Sequence, residues 1–191
     1  MFYFLTITIS MALISVAGII FITPNSDIEA WRVILAVIFY TVLEIALNGL
    51  FAFIIRRFLP KKWFGVDKLC FVAKSRERNF YDKIKIKKWK DKVLELGCFT
   101  NFHKNKIAAP NDNEYVKRYI LEANYGVAIH AFLLIASFLI VAVYPSKFQL
   151  FLTLPVALVS AFLNLLPLFI LRYNLPKLHA LYKMNEKRKN K

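Results

Sequence analysis

Glu122 and His130 are the residues of this chain whose types and spacing most readily suggest acid–base chemistry, and they begin an apolar stretch. With Gly126 they fall at positions i, i+4 and i+8 of a helix, so they share one stripe. The rise of about 12 Å between Glu122 and His130 is too long for a direct hydrogen bond. An imidazole titrates near neutral pH and suits a general base, whereas a packed, hydrogen-bonded histidine is the equal alternative.

Glu44 and Asn48 are polar side chains inside another apolar stretch, four residues apart and therefore on one helix face. Counted back from Ile55, Glu44 is about 16 Å deep and Asn48 about 10 Å deep. A polar side chain at such depth costs free energy in hydrocarbon unless it is paired or hydrated. The two residues therefore either fix helix packing through a hydrogen bond or orient a polar group of a lipid substrate.

A third polar set lies in the last apolar stretch, where Asn164 precedes Arg172 by about 12 Å of helix. Pro167 stands between them and cannot donate a backbone hydrogen bond, so we expect it to kink the helix and to free a carbonyl. Arg172 is expected at the same membrane level as His130. Together these residues predict a polar cavity that opens both to lipid and to the cytosol.

Four apolar stretches must position these side chains. Hydrophobic residues make up 58% of the 191-residue chain, and they are concentrated in blocks long enough to cross a bilayer as helices. We therefore expect a single all-α integral membrane domain with four transmembrane helices, and not a basic soluble core. The predicted transmembrane helices are at about residues 2–23, 33–55, 124–144 and 148–171.

The distribution of charge predicts the orientation of these helices. Of the 27 basic residues, 18 lie in an insert at about residues 56–118 and seven in a tail at about residues 172–191. By the positive-inside rule, the insert, the tail and both termini face the cytoplasm. The two cysteines, Cys70 and Cys98, are too few for a secreted disulfide scaffold.

The basic insert contains a predicted amphipathic helix. Ile86, Trp89, Val93 and Leu96 recur at helical spacing among many lysines, and Gly97 is placed to end the helix. Such a helix is typical of segments that lie at the membrane interface on anionic lipid headgroups, with the tryptophan inserted. The phosphates of a soluble donor, such as a nucleotide or coenzyme A, are the alternative ligand. Nucleic acid is not expected, because lysines beside membrane spans usually meet lipid headgroups.

Motifs in the second half of the chain resemble those of a known family. They are a basic segment around Trp89, Glu122 eight residues before His130, and Asn164 and Pro167 leading into the run Arg-Tyr-Asn-Leu-Pro-Lys-Leu from Arg172. Over about residues 80–178 the chain resembles glycosyl-4,4'-diaponeurosporenoate acyltransferases. These are small bacterial membrane proteins that attach a fatty acyl chain to the sugar of a carotenoid glycolipid.

The chain departs from the pattern of that family at four positions. Val127 and Tyr125 stand where the pattern has an acidic residue and an arginine, three and five positions before the histidine. Leu171 replaces a glutamine, and Lys106 replaces a histidine near the end of the insert. The resemblance therefore predicts the fold more strongly than the reaction.

The resemblance implies acyl transfer from a thioester such as acyl-CoA to a hydroxyl of a lipid-linked, glycosylated acceptor. His130 would act as the base, and Glu122 would position the acceptor or pair with a basic residue. The residues expected to bind substrate are Glu44, Asn48, Asn164, Arg172, Tyr173 and Asn174. Arg172 and Asn164 could contact the oxyanion that forms at the thioester carbonyl or a headgroup, and Arg172 is the better clamp for a phosphate or carboxylate. The residues expected to bind the donor or lipid headgroups are Lys88, Trp89, Lys90 and Lys92.

Two other classes of function fit the same residues. A non-catalytic membrane module would bind anionic lipid or a protein partner through its lysines, while its intramembrane polar residues only hold the helices together. A small proton-coupled transporter would use Glu44 as its ion-binding site. The sequence has no Cys/His cluster, EF-hand loop or phosphate-binding glycine loop, so we expect neither a metal nor a tightly bound cofactor.

Overall fold

Every regular element of the described chain is helical. The computed structural model describes residues 2–93, 107–143 and 149–189. Its α-helices are α1 (Phe2–Ile22), α2 (Ala30–Phe58), α3 (Ser75–Lys83), α4 (Ile86–Trp89), α5 (Asn113–Ala136), α6 (Leu139–Ala142) and α7 (Leu154–Lys189). There are also 3-10 turns at Thr23–Asn25, Lys61–Phe64, Leu69–Phe71 and Lys90–Lys92, and a π-helical turn at Gln149–Thr153.

Four of the described helical segments are long and apolar enough to cross a membrane, which confirms the prediction of an all-α integral membrane protein. These segments are Phe2–Asn25, Ala30–Phe58, Asn113–Ala142 and Gln149–Lys189. Two helices extend well into polar sequence, because α5 begins inside the predicted insert and α7 continues through the predicted tail. A helix ends where its backbone is capped or turned, so an apolar run predicts a span better than it predicts a helix end. The predicted ends at residues 144 and 148 lie outside the described residues.

Polar residues in the long helices are hydrogen-bonded close to their own position in the chain. The Asp112 carboxylate accepts hydrogen bonds from the backbone N–H groups of Glu114 at 2.9 Å and Tyr115 at 3.3 Å, and so caps α5. In α1 the hydroxyls of Thr6 and Thr8 each donate to the carbonyl four residues earlier, at 2.9 Å. Because these two hydroxyls are satisfied within the helix, they can enter hydrocarbon without an unpaired donor.

The structure divides into two units, and the first contains Met1–Ile54 and Ala131–Leu165. Unit 1 has an apolar core to which α1, α2, α6, the π-helical turn and α7 all contribute. The buried members of this core are Ile14, Ile22, Val33, Val37, Tyr40, Ile140, Leu152, Val156 and Ala157. The core of unit 1 therefore depends on segments from both ends of the sequence.

Gly18 lies where α1 closely approaches α2 and the π-helical turn of unit 1. A Cβ atom at Gly18 would lie 2.7 Å from Val33 Cγ1 and 2.8 Å from Leu152 Cδ2. Val33 is β-branched and has little rotamer freedom in a helix, so it cannot easily move aside. The Cβ position of Gly49, also in unit 1, has no atom within 4 Å.

The second unit contains Ile55–His130 and Leu166–Lys191. Fully buried side chains in unit 2 are Tyr81, Ile86, Val116, Ile120, Asn124 and Leu175. The Tyr81 ring lies 5.4 Å from the Phe169 ring and 6.1 Å from the Tyr173 ring, the latter edge-to-face. These ring contacts hold α3 against α7 within unit 2.

The predicted amphipathic helix of the insert is helical in part, over α4 and the 3-10 turn Lys90–Lys92. Helix α3 ends at Lys83, and Lys85 adopts a left-handed backbone with φ of 52° before α4 begins. Ile86, at the start of α4, and Val93, directly after the 3-10 turn Lys90–Lys92, are both buried in unit 2. The remaining members of the predicted helix, Leu96 and Gly97, lie outside the described residues.

Gly18→Ala is expected to lower the stability of unit 1 relative to Gly49→Ala. Both changes bring the same gain in helix propensity, up to about 1 kcal/mol, so the difference between them isolates the packing contribution. Because the new methyl group would overlap Val33 and Leu152, we expect this difference to be about 1–3 kcal/mol. It is measured as a lower thermal unfolding midpoint of the detergent-solubilised protein. Equal midpoints for the two variants would contradict the close approach at Gly18.

Candidate functional site

Polar side chains of two helices, α2 and α7, and of the turn after α5 meet around Ser160 in unit 1. The Asn48 amide donates to the Ser160 hydroxyl at 3.0 Å, and the Ser137 and Ser160 hydroxyls are hydrogen-bonded to each other at 2.9 Å. The Glu44 carboxyl is hydrogen-bonded to the same two serines. The Asn164 amide donates to the Ser160 carbonyl at 3.1 Å. We call Glu44, Asn48, Ser137, Ser160 and Asn164 the intramembrane polar cluster.

The Glu44 carboxyl is the least satisfied group of the intramembrane polar cluster. Its residue is only 3% exposed, and its Oε2 atom has no hydrogen-bond partner among the described residues. A buried oxygen without a partner costs about 1–3 kcal/mol. The arrangement can therefore accept one more hydrogen-bonding group at Glu44, either from a ligand or from water.

Tyr3 satisfies a carbonyl that Pro167 leaves without its usual donor. In an α-helix the N–H of residue 167 would donate to the carbonyl of Leu163, but proline has no N–H. The Tyr3 hydroxyl donates to this Leu163 carbonyl instead, at 2.9 Å within unit 1. The sequence predicted the freed carbonyl, but it gave no indication that α1 would supply the donor.

Arg172 in unit 2 is held by a glutamate that sequence analysis did not identify. Its Nε and Nη2 atoms donate to the two carboxylate oxygens of Glu77 at 2.5 Å and 2.6 Å, and its Nη1 donates to the Cys70 carbonyl at 3.3 Å. The Tyr81 hydroxyl also donates to the Glu77 carboxylate. We call Arg172, Glu77, Tyr81 and the Cys70 carbonyl the Arg172 network.

Two parallel hydrogen bonds join the Arg172 guanidinium to the Glu77 carboxylate, and such a bidentate pair is stronger and more specific in geometry than a single hydrogen bond. Hydrogen bonding by the Arg172 guanidinium is the main reason why the pKa of Glu77 lies below the ordinary range of a glutamate, with a smaller contribution in the same direction from the Tyr81 hydroxyl. Partial burial opposes this shift but does not cancel it. The arginine predicted to clamp a phosphate or carboxylate of the substrate is thus already bound to a carboxylate of its own chain.

Tyr173 and Asn174 follow Arg172 on α7 but differ in their surroundings. Tyr173 is buried, its ring meets Tyr81 edge-to-face, and Lys177 Nζ lies 5.1 Å from the centre of the Tyr173 ring. Asn174 is half-buried. Tyr173 therefore belongs to the aromatic packing of unit 2, whereas Asn174 retains an accessible side chain.

Glu122 forms an ion pair, and His130 lies two helical turns further along α5. Glu122 Oε2 is 2.6 Å from Arg56 Nη1 in unit 2, so the prediction that Glu122 pairs with a basic residue has a specific partner. His130 is half-buried. Eight residues of α5 separate the two side chains, which keeps the Glu122 carboxylate away from the imidazole.

The predicted donor-binding residues lie on α4 and the following 3-10 turn. Lys88 and Lys92 are exposed, whereas Trp89 and Lys90 are half-buried. The Trp89 indole N–H donates to the Ile84 carbonyl at 3.1 Å. Within the described part of the chain, no three His, Cys, Asp or Glu side chains come together in a way that could hold a metal ion.

Two departures from the expected family pattern occupy packing positions in unit 2. Tyr125 stacks on Phe64 with ring centres 4.0 Å apart, and its hydroxyl donates to the Leu59 carbonyl at 3.0 Å. Leu171 packs on Gly126, where a Cβ atom would lie only 2.7 Å from Leu171 Cδ1. Both side chains therefore hold α5 to its neighbours in this unit.

Long apolar helices with polar side chains satisfied inside them define an integral membrane protein. Comparison with protein families then identifies the kind of membrane protein. The model of the glycosyl-4,4'-diaponeurosporenoate acyltransferase family matches residues 60–184, and the chain belongs to this family. The match confirms the resemblance seen in the sequence motifs, and with it the acyltransferase class and the link to carotenoid biosynthesis that the family name carries. Comparisons with curated proteins and with solved structures gave no match.

Glu77→Gln is expected to destabilise unit 2 and to remove a pH dependence. The folded-state pKa of Glu77 is lowered, so its ion pair contributes stability above the pKa of the unfolded chain, about 4.3, and loses it as pH falls through the folded value. At pH 7 we expect a loss of about 1–3 kcal/mol, between the values of exposed and buried pairs. Thermal unfolding of both proteins between pH 7 and pH 3 measures this, and the two stabilities should converge at the acidic end.

Glu114→Gln provides the matched control for Glu77→Gln. Glu114 also pairs with a basic residue in unit 2, but its Oε1 lies 3.9 Å from Lys117 Nζ and its side chain is 80% exposed. We expect this change to alter stability by less than about 0.5 kcal/mol. A loss as large as that of Glu77→Gln would show that general charge balance, and not the Arg172 network, stabilises the unit.

Proposed function

We propose that this protein transfers a fatty acyl chain from a thioester donor such as acyl-CoA to a hydroxyl group of a glycosylated lipid in the membrane. The observation that carries the proposal is the family match over residues 60–184, because this range contains Glu122, His130, Asn164 and Arg172. The four long apolar helices would lie in the bilayer, where the acyl chain of the donor and the lipid part of the acceptor are both dissolved. The basic segments face the cytoplasm of a bacterial cell in this proposal, as the positive-inside rule predicts.

His130 is the proposed general base. Its imidazole takes the proton of the acceptor hydroxyl as the oxygen attacks the thioester carbonyl. The new C–O bond forms, the C–S bond breaks, and the imidazolium returns the proton to the departing thiolate, which leaves an ester and a free thiol. The position of His130 inside the residues matched by the family supports this role, and its side chain is only half-buried.

The intramembrane polar cluster is the proposed binding site for a polar group of the acceptor lipid. Glu44 Oε2 supports this assignment, because it is buried and lacks a partner among the described residues. A hydroxyl of the acceptor could donate to this oxygen, while Asn48 and Asn164 keep the surrounding serines in place. The cluster thus holds the acceptor by a hydrogen bond in a medium where such a bond has no competition from bulk water.

The exposed lysines of the insert are the proposed site for the donor phosphates. Lys88 and Lys92 are accessible, and Lys90 lies between them on the same turn. The Arg172 network positions this region, because Glu77 and Tyr81 of α3 bind α7 shortly before α4 begins. In this proposal Arg172 is a positioning residue, and Asn174 is the residue of its motif that contacts substrate.

His130→Gln is expected to lower acyl transfer by about 100-fold or more, since loss of a general base has effects of about 10²–10⁴-fold. Lipids of cells that express either form are compared by mass spectrometry for a species that gains one acyl mass. Lys117→Gln changes an exposed residue of the same helix and should leave the product unchanged. Full transfer by His130→Gln would exclude the histidine as the base. No acylated lipid from the unmutated protein, with the same lipid bound to both forms, would favour a lipid-binding module.

Glu44→Ala is expected to raise the KM for the acceptor by about ten-fold while changing the KM for the donor little, because one hydrogen bond to the acceptor is lost. The measurement is an acceptor and donor titration with protein in lipid nanodiscs. Thr41→Val is the matched control, because Thr41 is buried on the same helix and its hydroxyl donates to the Val37 carbonyl at 2.8 Å. Equal effects on both substrates would contradict acceptor binding at Glu44.

A further inference from the structure

The chain between α2 and α3 is held firmly on one side. Phe64 is buried and stacks on the Tyr125 ring at 4.0 Å. The Asn124 amide donates to the carbonyls of Phe64 at 3.0 Å and Gly65 at 3.3 Å, and the Tyr125 hydroxyl donates to the Leu59 carbonyl at 3.0 Å. These contacts within unit 2 fix the backbone of the segment to α5.

Three large apolar side chains of this segment are exposed. Phe58 is 71% exposed, Trp63 53% and Leu69 60%. Each belongs to a residue type that proteins in water normally bury, and here the inward positions are already taken by Phe64 and the backbone hydrogen bonds. A group of large apolar side chains held outward by a packed inner face is typical of an interaction surface.

Basic residues alternate with these apolar ones. Arg57, Lys61 and Lys62 are exposed and Lys68 is half-buried, while Asp67, which pairs with Lys68 at 2.6 Å, is the acidic residue of the segment. Tryptophan beside lysine is the composition found at the headgroup level of membranes, where the ring lies among the upper acyl chains and the lysine reaches the phosphates. The segment also begins where α2, a helix apolar enough to span a membrane, ends at Phe58.

We propose that residues 57–69 form an interfacial anchor that lies in the headgroup layer of an anionic bilayer. Phe58, Trp63 and Leu69 insert among the upper acyl chains, and Lys61 and Lys62 bind anionic headgroups. The predicted interfacial tryptophan, Trp89, is a poorer candidate, because it is half-buried and its indole N–H is bonded to the Ile84 carbonyl. The anchor does not depend on the proposed acyl transfer, and its tests need no activity.

Quenching by brominated lipids tests the position of Trp63. The chain has three tryptophans, so Trp31→Phe with Trp89→Phe leaves Trp63 alone, and Trp31→Phe with Trp63→Phe leaves Trp89 alone. Both proteins are reconstituted in vesicles of phosphatidylcholine and phosphatidylglycerol that carry bromine high on the acyl chain. We expect blue-shifted emission from Trp63 and quenching at least about two-fold stronger than that of Trp89. Red-shifted, unquenched Trp63 emission would overturn the anchor and favour a surface for a protein partner.

Lipid selectivity tests the basic part of the interfacial anchor. Lys61→Gln with Lys62→Gln should lower the preference for spin-labelled phosphatidylglycerol over phosphatidylcholine by about two- to five-fold. The upper value corresponds to the full electrostatic contribution of one lysine at the membrane surface. Lys83→Gln with Lys87→Gln removes the same charge from exposed positions outside the anchor and should change the preference little. Equal losses in the two double variants would show that charge acts diffusely and would overturn the assignment to residues 57–69.

Discussion

Hydrogen bonding around Ser160 is the constraint on which the arrangement of unit 1 depends. In hydrocarbon no water is available to satisfy a polar side chain, so each such group needs a protein partner or a ligand. Asn48 of α2 and Ser137 after α5 meet this requirement at the Ser160 hydroxyl, Asn164 meets it at the Ser160 carbonyl within α7, and Glu44 of α2 meets it at only one of its two oxygens. Apolar side chains can slide past one another at small cost, whereas these groups have discrete partners. The polar cluster therefore fixes the register of helices whose apolar surfaces would tolerate several alignments.

In unit 2 the polar side chains are satisfied by an ion pair. The guanidinium of Arg172 binds both oxygens of Glu77, and the same carboxylate accepts the Tyr81 hydroxyl. Tyr81 then fills the aromatic core against Phe169 and Tyr173. Tyr81 thus belongs both to the hydrogen-bond network of the ion pair and to the aromatic core. Because α3 is only nine residues long and could not hold its place by helix propensity alone, these contacts with α7 determine where the basic insert is presented.

Sequence periodicity could predict the membrane-spanning helices and one residue of each polar contact, but not the residue that it binds. The length of the apolar runs was enough for four membrane helices, and spacing of four residues placed Glu44 and Asn48 on one face. Ser160 and Glu77 carry no such signal, because serine is common in membrane helices and surface glutamates are common everywhere. Their roles come from contacts across roughly a hundred residues of chain. The 3-10 turn Lys90–Lys92 was missed for a related reason, since the apolar spacing of Ile86, Trp89 and Val93 fits an α-helix throughout.

The family match covers only part of the intramembrane polar cluster, which is the proposed binding site for the acceptor. The match begins at residue 60, so Glu44 and Asn48 lie before it, whereas Ser160 and Asn164 lie within it. The intramembrane polar cluster thus combines residues inside the matched range with residues that precede it. Meanwhile Tyr125, at a position where the family pattern has a charged residue, is used for packing on Phe64. A family can keep the reaction while such positions change, because the chemistry of acyl transfer requires a base and an activated carbonyl, and a lipid acceptor is selected by the polar groups it meets in hydrocarbon.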